Sequence, residues 1–451
     1  MMKRATIKRP RYEIVLIVAI ILGSSALAVI LFAQPTYELW QRVWNPKNSS
    51  STQGGVWSDG TNIYTCGTSS YPHLNTMILV KWDSSGNQIW NRTWNFDNYS
   101  EGWGIWGSGK RIYTCGEIAY YNLTRTLAVV CWDSDGNLVW NRTWGGPTYS
   151  TVGGEQYSIS GNGTSIYTCA TISNETSPYY TSILLVKWDS NGNIMWNRTW
   201  GGSNYEYGGS VWCNSSAIYT CGETTDMIKP SIKREIVLIK WDAMGNQIWN
   251  RTWDPSNDSI GYSVCSSGSY IYLGGSVVVG WNPNGLHGHP IYSMVLLKCD
   301  SNGNLLWNRT ANQGCPYPGC SIYCAGANIY TSQAAALSLN SIIVKWDAAG
   351  NEVWSTSLDT YYVGFYHLWA NETSIYSVNT LYPYGLELIR WSSTPIPKYS
   401  VLDGIQGGVV GGIACRVIAY VLQRRKAKQE NITLKNPKED GNLIQQHYRS
   451  P

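Results

Sequence analysis

Three kinds of pattern are missing from this sequence, and each absence removes a class of protein. Between about Pro35 and Ser400, apolar residues do not recur at the spacing of an amphipathic helix, which excludes helical solenoids. There is no His-Glu-x-x-His, no Gly-x-Ser-x-Gly and no phosphate-cradling glycine loop. No basic stripe is present either: the net charge of +4 comes from the two ends, and residues 13–415 carry 20 Lys and Arg against 26 Asp and Glu. This mildly acidic balance argues against nucleic-acid binding.

One repeated unit of roughly 45 to 58 residues fills most of the chain instead. Each copy has an Ile-Tyr pair followed by a Trp, which is Cys in the fifth copy. The tyrosines are Tyr64, Tyr113, Tyr167, Tyr219, Tyr272, Tyr330 and Tyr376, and the second landmarks are Trp82, Trp132, Trp188, Trp241, Cys299, Trp346 and Trp391. The two series keep step, which indicates a closed or stacked repeat architecture.

Within each unit, two β-rich runs flank a turn, as in residues 78–94. Asp83 suits an Asx-type turn, and Gly86-Asn87 tolerates the positive φ of a tight reversal. A second hairpin precedes this one, as in residues 210–221. We therefore predict a four-stranded antiparallel sheet of strands A to D in every unit. Seven such sheets predict an all-β, seven-bladed β-propeller.

The two ends of the repeat series are complementary. The seventh copy has no strand D of its own, whereas residues 38–44 precede the first copy and match strand D. Pairing this segment into the seventh blade closes the ring and removes the open edges that invite aggregation. The propeller is thus predicted to cover residues 37–392.

Apolar runs flank the predicted ring. Residues 14–33 carry no charge, are long enough to span a bilayer, and follow five basic side chains. We expect a cytoplasmic segment over residues 1–13 and a transmembrane signal-anchor helix over residues 14–33, although the run also fits a long cleaved signal peptide. After a linker over residues 393–403, residues 404–422 predict a second transmembrane helix, and residues 423–451 predict a disordered cytoplasmic tail.

Both flanks place the propeller outside the plasma membrane, because basic residues lie on the far side of each apolar run. Gly407 to Gly411 and Gly408 to Gly412 have small-xxx-small spacing, which suits a homo-oligomer as well as it suits a plain glycine-rich span.

Cysteines and sequons follow the repeat. Cys66, Cys115, Cys169 and Cys221 share one strand B position and are predicted to be small core residues, whereas Cys315, Cys320 and Cys324 are expected to include one bridge. Sequons within strand D belong to the repeat. The glycosylation candidates are therefore the loop residues Asn98, Asn122 and Asn174.

Variable loops mark the predicted binding face. The A-to-B and C-to-D turns are short and uniform, whereas the B-to-C and D-to-A connections vary and share the opposite face of the ring. That face is rich in aromatic side chains, which suit both protein recognition and sugar stacking. The candidate ligand-binding residues are Tyr120, Tyr121, Tyr179, Tyr180, Tyr205, Tyr207, Trp281, Tyr361 and Tyr362. The insertion at residues 277–293 is the loop expected to contact a partner.

Signals for an enzyme are weak. His287 and His289 supply two metal-type ligands without an evident third, so no metal is predicted. Glu101, Glu155 and Glu206 enter the D-to-A loops and offer carboxylates for acid–base work near the channel, but solvated loop acids are common. The repeated Trp90, Arg92 and Trp94 pattern indicates cation–π packing of the scaffold rather than a ligand platform.

The segment Val-Lys-Trp-Asp-Ser-Ser-Gly-Asn-Gln-Ile-Trp, residues 80–90, resembles the seven-bladed propeller repeats of secreted and membrane-tethered prokaryotic proteins, archaeal surface proteins among them. It resembles quinoprotein propeller repeats more distantly, since those have Asp-x-x-Thr-Gly where this chain has Asp83-x-x-Gly86-Asn87. The resemblance implies an extracellular interaction domain, and no cofactor or site residue is carried over. We therefore expect an outward-facing module that binds glycan or protein. The alternative is a quinone- or metal-dependent oxidoreductase or a polysaccharide-active enzyme that uses the channel.

Overall fold

The computed structural model of the chain contains 31 β-strands among the residues that it describes. These residues are 14–22, 25–33, 36–45, 50–71, 74–96, 99–120, 125–145, 149–151, 157–174, 177–202, 204–226, 233–256, 258–282, 289–315, 319–333, 340–359, 367–381 and 385–396.

The strands follow the repeat. Three precede the first complete unit: β1 (Ile14–Leu22), β2 (Ser25–Ala33) and β3 (Thr36–Trp44). The first four units contain β4 (Ser50–Ser58), β5 (Ile63–Tyr71), β6 (Leu74–Trp82), β7 (Gln88–Trp94), β8 (Ser100–Ser108), β9 (Arg111–Ala119), β10 (Arg125–Asp133), β11 (Leu138–Trp144), β12 (Tyr149–Thr151), β13 (Ser158–Gly161), β14 (Ser165–Asn174), β15 (Ser177–Asp189), β16 (Ile194–Gly201), β17 (Tyr205–Cys213), β18 (Ile218–Asp226), β19 (Lys233–Trp241) and β20 (Gln247–Trp253). The last three contain β21 (Ser259–Ser267), β22 (Tyr270–Asn282), β23 (His289–Cys299), β24 (Leu305–Cys315), β25 (Ser321–Ala325), β26 (Asn328–Gln333), β27 (Asn340–Trp346), β28 (Glu352–Asp359), β29 (His367–Ala370), β30 (Ser374–Leu381) and β31 (Gly385–Ile396).

Strands β3 to β31 form seven antiparallel blades, each ordered A-B-C-D from the centre outward, and β1 and β2 form a separate two-stranded sheet. Blades 1, 2, 4, 5 and 6 use consecutive strands, from β4–β7 to β25–β28. In blade 3 the short β12 joins β13 in pairing with β14, so that sheet has five strands. The chain is therefore a seven-bladed β-propeller, as the repeat predicted.

Blade 7 confirms the predicted closure, because β3 pairs with β31 as its strand D. Trp44 lies opposite Leu386, five residues before Trp391, and Trp94 lies opposite Met77, five residues before Trp82. The closing strand thus has the same register as the strand D of a continuous blade. Tyr37 also stacks on Trp354 of blade 6 with ring centroids 4.3 Å apart. Strand β3 is therefore paired within blade 7 and packed against blade 6.

The C-to-D turns form as the sequence predicted. The Asp83 carboxylate accepts bonds from the Ser85 and Asn87 backbone N–H groups, both at 2.8 Å, and from the Asn87 side chain at 2.9 Å. Gly86 has φ of 80°, a conformation that costs glycine nothing. The hydrogen bonds from Asn87 lower the pKa of Asp83. Each of these turns is therefore stabilised by its own side chains.

Repeated Arg side chains join neighbouring blades. Arg92 lies 5.0 Å from the Trp90 ring centroid and donates to the Gly136 and Asp135 carbonyls of the next blade, both at 3.0 Å. A Cβ on Gly136 would meet the Arg92 side chain at 2.9 Å, so only glycine leaves room for this contact. Because an equivalent arginine makes this contact in several blades, the structural interpretation of the Trp-Asn-Arg-Thr-Trp pattern is supported.

Cysteine positions are partly as expected. Cys66, Cys115, Cys169 and Cys221 are free and have no exposed surface, as core residues do. Burial raises the pKa of the Cys66 thiol to about 12, which removes its reactivity at neutral pH. The expected bridge within the Cys315, Cys320 and Cys324 group is wrong: Cys324 pairs with Cys265, and Cys320 is free.

The correct partner could not be identified from sequence spacing. Cys265 and Cys324 lie on the innermost strands of blades 5 and 6, 59 residues apart in sequence and 5.9 Å apart between Cα atoms. The ring brings these two strands together. Adjacency between blades therefore decided this pairing.

The amino-terminal apolar run differs from the predicted helix over residues 14–33. Here β1 and β2 pair antiparallel as a hairpin that reverses between Leu22 and Ser25. Six of the nine residues of β1 are Ile or Val, and such β-branched residues suit strands, so a continuous apolar pattern alone does not separate strand from helix. Among the described residues, no helix has the length and hydropathy needed to cross a bilayer. The predicted segments 1–13, 404–422 and 423–451 lie outside the described residues.

Candidate functional site

The propeller presents two chemically different faces. A-to-B and C-to-D turns share one side of the ring because neighbouring strands are antiparallel, and we call this side the turn face. B-to-C and D-to-A connections share the other side, the loop face. Side chains that differ between blades are concentrated on the loop face, which directs the search for a site there.

Two of the predicted tyrosines meet on the loop face. The Tyr180 and Tyr205 ring centroids lie 6.5 Å apart with an interplanar angle of 53°. Tyr180 is 44% exposed, and Tyr205 is partly buried. Tyr207 follows Tyr205 on β17 at a spacing of two, so both side chains project from one face of that strand. These three residues form a partly exposed aromatic patch at blades 3 and 4.

Other predicted aromatic residues lie apart from this patch or outside the described side chains. Tyr120 is partly buried and packs edge-on against Phe96, with centroids 5.8 Å apart. Tyr121, Tyr361 and Tyr362 lie outside the described residues. Tyr179 lies on β15, but its side chain is not among those described.

The insertion at residues 277–293 is not a loop throughout, because β22 and β23 extend into it as a hairpin. Trp281 pairs with Pro290 near the end of this hairpin and is 61% exposed. Val279, two residues earlier, is 53% exposed. A register shift at Val279 interrupts the alternation there, and Trp281 lies beyond it in the paired part of the hairpin, so the predicted contact residue is presented by regular structure.

A charged cluster lies beside the aromatic patch, between blades 4 and 5. Arg234 donates two bonds of 2.7 Å to the two carboxylate oxygens of Asp258 and a third, of 2.8 Å, to the Tyr292 hydroxyl. Glu223 pairs with Tyr207 in the β17–β18 ladder. The pKa of Tyr207 is raised by its burial and by the Glu223 charge. The aromatic patch and the charged cluster are therefore neighbours.

Glu223 differs from the other buried carboxylates that face a blade interface. Glu117 binds Arg125 and accepts a bond of 2.5 Å from the Tyr157 hydroxyl, and Glu387 accepts bonds from Gln41 and Asn379. The Glu223 Oε2 atom is buried and has no partner among the described residues.

The guanidinium near Glu223 is committed elsewhere, because Arg234 is already bound to Asp258. Burial raises the pKa of Glu223 from 4.5 to about 7, against the opposing charge of Arg234 and with a contribution from Asp258. A carboxyl group with this pKa is both acid and base at neutral pH.

Sequence reasoning missed Glu223, Arg234, Asp258 and Tyr292. Glu223 occupies the position of Thr68 in blade 1 and Thr171 in blade 3, so a departure from the repeat was the available signal. Two of the three predicted acids, Glu101 and Glu206, make hydrogen bonds within the propeller. Glu206 is buried, accepts a bond of 2.9 Å from the Gly202 N–H, and has its pKa raised by burial. The carboxylate of Glu101 accepts a bond of 2.9 Å from the side chain of Asn75.

The remaining predicted sites lie largely outside the described side chains. Glu155, His287, Asn98 and Asn122 fall in undescribed segments, and Asn174 lies on β14 with its side chain undescribed. Among the described residues, no group of three or more His, Cys, Asp and Glu is placed to hold a metal.

The central channel is a second concave region. The innermost strands of all seven blades enclose a cavity of about 300 Å³. Small residues such as Gly55, Ser210 and Ser263 line it together with indoles such as Trp57 and Trp212. His367 also lines the channel, and burial lowers its pKa to about 4, so its imidazole is neutral at physiological pH. This cavity offers hydrogen bonds and aromatic faces but no charged acid–base pair among its described lining residues.

Neither a protein-family model nor a curated protein sequence matches this chain. Among solved structures, it is similar to Kuenenia stuttgartiensis hydrazine synthase at 13% identity, with a TM-score of 0.48 over 74% of this chain and 93% of that one. It is similar to the β-propeller domain of the Trilobed protease from Pyrococcus furiosus at 10% identity, with a TM-score of 0.43 over 80% and 99%. For the phage phi92 endosialidase the identity is 10% and the TM-score 0.42, over 84% and 72%. Likeness at this level concerns the fold and carries no function.

Proposed function

We propose that this propeller is a membrane-held, extracellular binding module that captures a glycan through its loop face. The observation that carries the proposal is the meeting of Tyr180 and Tyr205 beside Glu223, Arg234 and Asp258. The ring holds these groups on strands of blades 3, 4 and 5, so little ordering entropy is lost on capture.

The chemistry of the cluster suits sugars. Tyrosine rings offer flat apolar faces against which a pyranose ring packs, and their hydroxyl groups bond to water or ligand. Glu223 pairs with Tyr207 across the β17–β18 ladder, so the charge of its carboxyl, which changes near neutral pH, sets the electrostatics beneath the aromatic patch. Sugar hydroxyls both donate and accept hydrogen bonds, so they suit the tyrosine hydroxyl groups of the patch. A protein ligand is the other occupant that such an aromatic patch accepts.

Membrane attachment rests on the sequence of the amino-terminal flank. Residues 14–33 are uncharged and follow five basic side chains, so we propose that in lipid this run crosses the bilayer as a single helix instead of the β1–β2 hairpin, with its basic flank in the cytoplasm and the ring outside. Strand β3 begins at Thr36 on the turn face, and β31, its partner in blade 7, ends on the same face. The loop face then points away from the bilayer, where an extracellular ligand is accessible.

The test compares aromatic variants on opposite faces of the full-length chain in lipid nanodiscs. Tyr180→Ala and Tyr205→Ala are measured for retention on immobilised envelope polysaccharide, with Tyr270→Ala as the matched control. Tyr270 is 40% exposed, close to the 44% of Tyr180, but it lies on the turn face. With roughly 1 kcal/mol for each ring, the double variant should bind about thirtyfold more weakly.

The outcomes separate the ligand classes. Loss of retention in both loop-face variants, with the control unchanged, supports glycan capture by this patch. Equal retention by all variants contradicts it. Binding to envelope protein but not to polysaccharide, with the same dependence on Tyr205, would replace the glycan with a protein ligand.

One observation favours a second candidate, a polysaccharide-active enzyme. A carboxyl with a pKa of about 7 beside a second carboxylate is the kind of pair that glycoside hydrolysis uses. If the cluster is catalytic, polysaccharide incubated with the protein should shorten. Glu223→Gln should then abolish shortening while retention persists. No change in polymer length at any pH between 5 and 8 would remove this candidate.

A further inference from the structure

Every blade contains a β-bulge at the same place, where strand D begins. In blade 1, Lys81 pairs with Trp90 and Trp82 pairs with Gln88, which leaves Ile89 without a partner across the ladder. The other blades omit the equivalent residue in the same way. The seven bulge residues are Leu39, Ile89, Val139, Met195, Ile248, Leu306 and Val353. A bulge re-aims a side chain, and its recurrence in all blades indicates a selected feature.

All seven bulge residues are aliphatic and exposed. Their exposed fractions lie between 39% for Val139 and 58% for Met195. Further along the same strands the exposed positions are polar, as Asn91 and Thr93 illustrate in blade 1. Single exposed apolar residues are ordinary, but seven at one equivalent position are not explained by core packing.

The bulge residues surround the turn face, because each lies one or two residues beyond a C-to-D turn or, for Leu39, at the equivalent point of β3. Equivalent positions in a closed ring lie on one circle. The turn tips inside this circle are mostly small, such as Ser84-Ser85 and Ala348-Ala349, and in blades 1 to 6 they lie next to the aspartate that caps each C-to-D turn. Met244 and Tyr270 add exposed apolar surface there, at 72% and 40%.

We propose that this circle of aliphatic residues rests on the lipid bilayer and seats the propeller with its turn face on the membrane. The inference rests on the membrane attachment proposed above. Only Gln34 and Pro35 separate the apolar run from Thr36, and two residues span at most about 7 Å. With that run in the membrane, the turn face lies within reach of the lipid head groups.

A lipid surface fits the arrangement better than a second propeller does. A planar bilayer can contact all seven bulge residues at once in any rotation of the ring, whereas a second propeller would have to match their positions. Aliphatic side chains that enter the boundary between head groups and acyl chains are typical of surfaces that lie on membranes. The proposal therefore commits to lipid, and a face-to-face dimer of this chain becomes an outcome of the test.

The experiment uses the full-length chain in phosphatidylcholine vesicles, with an environment-sensitive fluorophore on Ile248→Cys or Val353→Cys. Thr252→Cys is the matched control, since Thr252 is exposed on the same strand as Ile248 but further from the turn. Unsubstituted protein carried through labelling gives the background from its native cysteines. Spin-labelled lipid should quench the bulge labels at least about twofold more than the control label.

Flotation separates failure of this inference from failure of membrane attachment. Protein that does not float with vesicles contradicts the attachment itself. Protein that floats while its bulge and control labels are quenched equally overturns only the seating of the ring. Cross-linking between two copies through the bulge cysteines, without lipid quenching, assigns the circle to a dimer and also overturns it. If the labelled variants do not fold, the unsubstituted chain is photolabelled with diazirine-bearing lipid. The lipid should then modify peptides that contain bulge residues. Modification confined to other peptides refutes the proposal.

Discussion

The carboxyl group of Glu223, whose buried Oε2 atom has no hydrogen-bond partner among the described residues, should make the stability of the propeller depend on pH. In the folded chain, burial raises its pKa from 4.5 to about 7. Below pH 4.5 the group is protonated in both states, and its stabilising contribution is complete. As the pH rises toward 7, the unfolded chain releases this proton while the folded chain retains it, so stability falls. Glu223→Gln keeps the shape of the neutral form without the titration and should remove this part of the decline.

The magnitude follows from the size of the shift. At 1.36 kcal/mol per pKa unit, the change from 4.5 to about 7 corresponds to about 3 kcal/mol. For a ring of about 360 residues, an unfolding entropy near 2.1 cal/mol/K per residue converts this into roughly 4 °C of Tm. The Tm of the wild type should therefore fall about 4 °C further than that of Glu223→Gln between pH 4.5 and pH 8.

Intrinsic tryptophan fluorescence during heating measures this difference. Glu117→Gln is the matched control, because Glu117 also faces a blade interface but is bound by Arg125 and Tyr157. Loss of that ion pair should lower Tm at pH 8 instead of relieving the decline. Parallel pH profiles for the wild type and Glu223→Gln would show that the Glu223 carboxyl is solvated and that the reasoning is wrong.

Two further predictions concern closure and cross-linking. Trp44→Ala should lower the free energy of unfolding by about 3 to 5 kcal/mol. Unlike Trp94→Ala, it should also let β3 exchange its amide hydrogens before the other strands, because β3 is joined to the rest of blade 7 only by pairing and not by a turn. If the outer strands of blades 7 and 1 exchange equally fast in Trp44→Ala and Trp94→Ala, the idea that the propeller opens first at β3 is wrong. Cys324→Ser should remove about 4 kcal/mol by the loop-closure relation for 59 residues and should no longer respond to reductant, whereas Cys320→Ser keeps the bridge and should lose stability in reductant as the wild type does. A Tm that is the same with and without reductant in the wild type would refute the first value.

Much of the fold could be predicted because its determinants are local and repeated. The Ile-Tyr and Trp landmarks fixed the number of blades, and Asp83 with Gly86 fixed the turn between strands C and D. The missing last strand and its match at residues 38–44 predicted the closure that β3 and β31 make. The amino-terminal hairpin was not predicted, because a run rich in Ile and Val suits strand and helix alike.

The candidate site was predicted only in part. Tyr180, Tyr205 and Tyr207 were selected because they lie in variable segments, and the structure brings the first two into contact. Their neighbours Arg234 and Asp258 come from different blades, so no local pattern links them.

The sequence by itself determined the architecture of this protein, since period, turn chemistry and strand alternation are encoded over a few residues and copied seven times. Only the tertiary structure decided the bridge from Cys265 to Cys324, the Glu223 oxygen that no described residue reaches, and the exposure of the aliphatic bulge residues. The bridge depends on the distance between strands of neighbouring blades, 59 residues apart in sequence, which ring closure sets and local sequence does not.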